Sequence, residues 1–289
     1  MTRITQLSMS NMSLAGLQAS LLRVQQLEAQ ASSGKRIQAP SDDPQGTAIS
    51  MNLRSQQAAD TQYTANADFA TARLQVADTA LTDLNDQLRS VRKLLIASQN
   101  GAVATTARSA LSSQITETVA SITSLYNSQY LGRPVFGGTA ASDSAIDSSG
   151  TYVGDGNPVM VRLSATTTVR VDIDGSSIGA DTAPAMLTQF AANVALATGA
   201  PQSDLDLMDG LLDQVTTALG HVGAYEGQVT TTSAAVSAHS MDLTTSISHN
   251  ESADLAEILT KFASQQVAYQ TAIGVAAKIQ QTSLADFLR

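Results

Sequence analysis

Apolar residues near both ends of the chain recur every three or four positions, whereas those in the middle do not. Over residues 5–31, Leu7, Leu14 and Leu21 share one heptad position and Leu17, Val24 and Ala31 another. That is a narrow seam of the kind a partner helix covers. It stops at Ser32-Ser33-Gly34-Lys35-Arg36, where Gly34 suits a left-handed C-terminal cap and the two cations suit the negative end of the helix dipole. Pro40 follows, then Ser41-Asp42-Asp43-Pro44. Asp43 as N-cap with Pro44 in the first helical position predicts a new helix, so Gly34, Pro40, Asp43 and Pro44 are expected to fix a short turn between two helices.

The second helical stretch is the longest. Leu53, Ala67, Leu74, Leu81, Leu88 and Leu95 fall on one seven-residue register, broken only by Asp60, with Tyr63, Ala70, Ala77, Leu84 and Val91 beside it. A third helix is expected over about 104–130, where Leu111, Ile115, Val119, Ile122 and Tyr126 are three or four apart. From 132 onward Gly and Asp become frequent. Val159–Leu163 and Thr168–Ile173 read as short strands bounded by Asp155-Gly156-Asn157-Pro158 and Asp174-Gly175, with a short helix near 184–198. Helical periodicity returns after Pro201: Met208, Val215, Val222, Val229, Val236 and Leu243 repeat every seven residues. The last stretch, 252–289, carries Leu255, Leu259, Phe262, Tyr269, Ile273, Leu284, Phe287 and Leu288.

The predicted fold is mainly α with a small β insert: an elongated antiparallel helical bundle or coiled-coil rod with an inserted β-containing domain. The expected segments are an N-terminal inner helix and turn at 1–44 pairing with 250–289, long helices at 45–131 pairing with a returning helix at 201–249, and the insert at 132–200.

Composition favours such a thin architecture over a thick globular core. Ala, Ser and Thr supply 109 of 289 residues and aromatics only 4%, so few large apolar side chains are available to fill a deep interior. The net charge of −9 opposes a nucleic-acid footprint, which needs clustered cations. No apolar run approaches the ~20 residues of a membrane span, and no secretory signal peptide is visible. With no Cys, neither disulfides nor thiol chemistry enter.

A search for chemistry finds none. His221, His239 and His249 lack metal-ligand spacing. Asp172-Ile173-Asp174-Gly175 lacks the remaining ligands of a calcium loop and reads as a strand-ending turn. Gly154-Asp155-Gly156 and Ser33-Gly34-Lys35-Arg36 fall short of the nucleotide-binding fingerprints. The chain is therefore read as a non-enzyme with no cofactor and no metal. Helices at both chain ends without a globular core of their own suggest packing between subunits.

The sequence SSGKRIQAPSDDP at 32–44, YLGRPVFGGT at 130–139, AYQTAI at 268–273 and QTSLADFLR at 281–289 resemble the bacterial flagellin family, most closely the form carried by its hook–filament junction members. The likeness covers roughly 1–139 and 202–289. It implies an extracellular structural protein of the flagellum, exported through the flagellar type III pathway, with terminal helices paired in an inner layer and the insert facing outward. The implied partners are further copies of itself in a ring or helical layer, the first hook-associated protein, flagellin, and an export chaperone on the C-terminal helix. The implied assembly residues are Leu7, Leu14, Leu17, Leu21 and Val24, against Leu259, Phe262, Tyr269, Ile273, Leu284 and Phe287. The alternatives are a filament-forming flagellin and, less in keeping with Tyr152 as the single aromatic between 140 and 185, a surface adhesin or glycan-binding protein.

Overall fold

The long heptad registers become long helices. The computed structural model describes residues 2–99, 104–196 and 198–287, with side chains for 8, 11–99, 104–196 and 198–278. Its helices are α1 (Thr2–Ser33), α2 (Pro44–Ser98), α3 (Thr105–Tyr126), α4 (Ala183–Ala195), α5 (Gln202–Glu251) and α6 (Leu255–Phe287). Strands β1 (Gln129–Tyr130) and β2 (Arg133–Pro134) form one antiparallel hairpin, and β3 (Met160–Arg162) and β4 (Thr168–Arg170) another. The fold is mainly α with a small β insert. The chain divides into two compact units, residues 59–240 and residues 1–58 with 241–289.

The 59–240 unit holds the contiguous apolar core. Leu74, Leu81, Leu88 and Leu95 of α2 are fully enclosed, as are Met208, Val215 and Val222 of α5, so both registers read from the sequence face inward. The two helices run antiparallel, with Arg92 Nε donating to Asp209 Oδ1 at 2.5 Å and Asn85 pairing with Thr216. Asp60, the break in the α2 register, is buried and lies 2.6 Å from His239 Nδ1 on α5. The register break is thus a matched polar position on two facing helices.

The insert is tied to the helices by polar side chains as well as by packing. Buried Arg73 of α2 donates to the carbonyls of Val171 and Pro134, and the enclosed Tyr126 hydroxyl donates to Ile178 O at 2.8 Å. Asp172, fully buried, accepts from Val159 N and takes a bidentate contact from Arg170. Asp174 caps the following 3₁₀ turn, Gly175–Ile178, by accepting from Ser176 N, which is the strand-ending turn expected there. The sequence did not signal β1 and β2, because strands of two residues show no alternation. Their two-residue connection, Leu131-Gly132, has φ of 51° and 75°, the primed turn that matches strand twist.

In the other unit, α1 packs against α6. Gly34 adopts φ 67° and its N–H bonds Gln30 O, the left-handed cap that a residue with a Cβ would fill only under strain. Asp43 caps α2 by accepting from Gly46 N at 2.8 Å, and Pro40 occupies the second position of a turn closed by Asp42 N to Ala39 O. Asp42 itself does more than the sequence suggested: its carboxylate accepts from both Gln38 N and Ala39 N. The two cations after Gly34 do not serve the end of α1. Lys35 pairs with Glu251, and Arg36 bridges Asp43 Oδ2 and Asn250 O.

Glu251 is the centre of this turn. It is buried, pairs with both Lys35 and Arg54, and its backbone carbonyl accepts from Arg36 N. Burial pushes its carboxyl up, yet the Ser50 hydroxyl and the two cations outweigh that and hold it below its ordinary value of 4.5. A carboxyl with a lowered folded pKa stabilises fully above its unfolded value and loses that contribution as pH falls through the folded one. Amide protection at Arg36 and Ala253, which bond Glu251 O and Gly34 O, should therefore fall as the pH drops below about 4.5. The Glu251→Gln variant should show weaker protection already at pH 7 and little further loss on acidification; an unchanged pH profile would remove Glu251 from this role.

Candidate assembly surface

The α1–α6 pair is antiparallel, its direction set by the Lys35–Ser252 bridge and by Gln265 Nε2 donating to Ser20 Oγ at 2.9 Å. Along α1 the covered positions include Ser13, Leu17, Ser20, Val24, Leu27 and Ala31, and along α6 they are Ile258, Phe262, Gln265, Tyr269, Ala272 and Ala276. These steps of three and four make one seam on each helix. Of the apolar side chains described in α1 and α6, Ile258 alone counts as buried. The seam is thin and carries polar residues in its middle.

The two heptad lines of α1 therefore separate. Leu17, Val24 and Ala31 turn toward α6, while Leu14 and Leu21 are exposed. On α6, Phe262 and Tyr269 turn toward α1, while Leu259 and Ile273 are exposed. The side chains of Leu7, Leu284 and Phe287 lie outside the described residues. At about 100° of rotation per residue, Leu14 and Leu21 sit roughly a quarter-turn to one side of the α1 seam, and Leu259 and Ile273 a similar angle from the α6 seam. Because antiparallel helices rotate in opposite senses when seen from one end, all four fall on the same flank of the pair. Ser20 opposite Gln265 also brings Leu14 and Ile273 within about one helical turn of the same level.

That flank is not alone. Met12 and Val275 are exposed a quarter-turn to the other side, and Leu22 and Val267 on the outer faces. A single exposed Leu is ordinary on a protein surface, but helices with apolar residues on every side are built to be covered. Small residues between them, Ala15, Gly16, Ala19 and Ala277, allow backbones to approach. Sequence spacing could have found Leu27, three residues after Val24. It gave no sign of Asn250 and Glu251, which meet the turn from some 200 residues away.

No group of three His, Asp or Glu among the described residues could hold a metal ion, and no described helix is long and apolar enough to cross a membrane. His221 stacks near Tyr225 at 6.3 Å and His239 is engaged with Asp60. What the surface offers is apolar helix.

Comparison with known proteins agrees with this arrangement. Residues 4–141 match the bacterial flagellin N-terminal helical region, and residues 205–288 match the bacterial flagellin C-terminal helical region. Flagellar hook-associated protein 3 of Salmonella typhimurium is 25% identical over 178 residues, 61% of this chain and 56% of that protein. The chain thus spans about half the length of that relative. The flagellar filament 33 kDa core protein of Treponema phagedenis is 23% identical over 267 residues, 91% of this chain and 90% of the relative. A solved Vibrio parahaemolyticus structure, described as a flagellar hook-associated protein, superposes with a TM-score of 0.65 at 21% identity, covering 73% of this chain and all of that one; it shares the fold.

Proposed function

Because the chain belongs to the bacterial flagellin family, we propose that it is an extracellular structural subunit of the flagellum that joins hook to filament through helical packing between copies. The observation that carries the assembly part of this reading is the exposed apolar flank of the α1–α6 pair, with Leu14, Leu21, Leu259 and Ile273 on one side. Leu17, Val24, Phe262 and Tyr269 hold the pair together inside each subunit and present that flank. Leu7 continues the heptad of Leu14 and Leu21 toward one chain end, Phe287 continues that of Leu259 and Ile273 toward the other, and Leu284 stands three residues before Phe287. Gly34, Pro40, Asp43 and Pro44 set the turn from which α1 leaves.

The junction role, as against the filament role, is supported by the 32–44 and 130–139 sequences and by the likeness to hook-associated protein 3. In that role the neighbours are further copies of this chain, the first hook-associated protein on the hook side and flagellin on the other. Before export, a chaperone covers the apolar face of α6. The filament reading has its own support in the alignment with the Treponema filament core protein over most of both chains.

Seeded polymerisation separates the two. Purified protein added to isolated hooks and to filament fragments, viewed by electron microscopy, should form a short zone at the hook end and stop. Long filaments of this protein alone would make it a flagellin.

A further inference from the structure

Among the described residues, Leu131 is the one non-glycine with a positive φ, 51°. At 77% it is also the most exposed of their large apolar side chains. Its turn requires φ > 0 at both central positions, which Asn, Asp or Gly fill readily. A leucine there is strained by its Cβ and gains no burial within its own chain. Strain held at an exposed apolar tip points to a contact made outside the chain.

A socket lies beside the hairpin. Ala72, Val76 and Ala80 of α2, Leu125 of α3 and Tyr130 line a groove of about 490 Å³, whose remaining lining is polar: Gln75, Thr79, Ser128 and the carboxylate of Asp83. Tyr130 is braced edge-to-face on Phe69, ring centroids 5.5 Å apart, so that wall is firm. Arg133, opposite Tyr130 at the base of the two-residue turn that carries Leu131, is exposed and donates to Ala140 O. An apolar knob with a cation nearby thus complements a groove of mixed lining that offers apolar side chains and a carboxylate.

We propose that Leu131 of one copy seats in the α2–α3 groove of a second copy, with Arg133 against that copy's Asp83. A second copy is the occupant because this chain carries both halves of the contact, with opposite charges. The inference rests on the assembly reading above and adds a contact within the 59–240 unit to it.

The native absence of cysteine allows a clean test. Full-length Leu131→Cys and Val76→Cys proteins, mixed, assembled on hook seeds and oxidised, should give a disulfide-linked dimer. That dimer should be absent from unassembled mixtures. Leu131→Asn should raise the melting temperature by a degree or two while raising the critical concentration for assembly about tenfold. Arg133→Glu should weaken assembly, and adding Asp83→Lys in the same chain should restore it. If wild-type protein does not assemble, the assembly reading falls and this contact with it. If wild type assembles but Leu131→Asn assembles equally well, or no cross-link forms in the assembled state, the knob-and-groove contact alone is overturned.

Discussion

An aspartate at Ile273 should leave the purified chain as stable as wild type and abolish its assembly on hook seeds. Ile273 is 45% exposed and Leu14, near its level on the neighbouring helix, 54%. Neither fills the α1–α6 seam, and exposed substitutions away from special features usually change stability by less than about 0.5 kcal/mol. In an assembled layer, however, each such side chain would be buried. Losing its apolar burial costs about 1.5–3 kcal/mol per contact, and enclosing an unpaired carboxylate adds several more. The sum corresponds to at least about a hundredfold rise in critical concentration, since 1.4 kcal/mol is tenfold. Sedimentation of seeded reactions and thermal melting of the monomer, measured together for Ile273→Asp and Leu14→Asp, decide the matter. A fall in monomer stability with assembly unchanged would return these residues to an intramolecular role.

The second large effect is expected at Phe136. The notable feature of this residue is that its side chain and backbone are both committed. The ring is enclosed in the 59–240 core, and its carbonyl accepts from the Tyr152 hydroxyl at 2.9 Å and from Gly175 N at 3.1 Å. Burial and the nearby Asp174 push the Tyr152 phenol up to about 12, so it keeps its proton and the bond throughout the neutral range. Phe136→Ala should cost about 3–5 kcal/mol, because the cavity adds to the lost transfer energy, and lower the unit's melting temperature by about 10 °C. The change is best read by near-ultraviolet circular dichroism. A loss under about 1 kcal/mol would mean that the insert packs independently of this ring.

How much of this was legible in the sequence depends on distance along the chain. Leu74, Leu81, Leu88, Val215 and Val222 announce their burial through a local period, and so do the cap at Gly34 and the helix start at Asp43 and Pro44. The strands at 160–162 and 168–170 and the helix at 183–195 also followed from local pattern. Which of α1's two heptad lines faces α6 did not, because Leu14 and Leu21 are as periodic and as apolar as Leu17 and Val24; only the partner's position breaks the tie. Glu251 joining Lys35 and Arg54, and Arg73 reaching the insert's carbonyls, depend on long-range closure that no window contains. Leu131 was present in the 130–139 segment, but its exposure and its φ are properties of a hairpin too short to leave a sequence period.

The Asp60–His239 pair has a consequence for how α2 and α5 find each other. A helix face that offers valine at 215, 222, 229 and 236 is nearly self-similar under a shift of seven residues, like a ruler with unnumbered marks. Slid by one heptad, the apolar contacts would largely survive. Asp60 would instead meet Thr232 or Ser246, and Arg92 would meet Gln202 or Thr216 in place of Asp209. A buried carboxylate left without its partner is costly, so the misaligned pairings are raised in energy while the native one is scarcely lowered. The polar interruptions number the marks: they give two otherwise repetitive helices a single address.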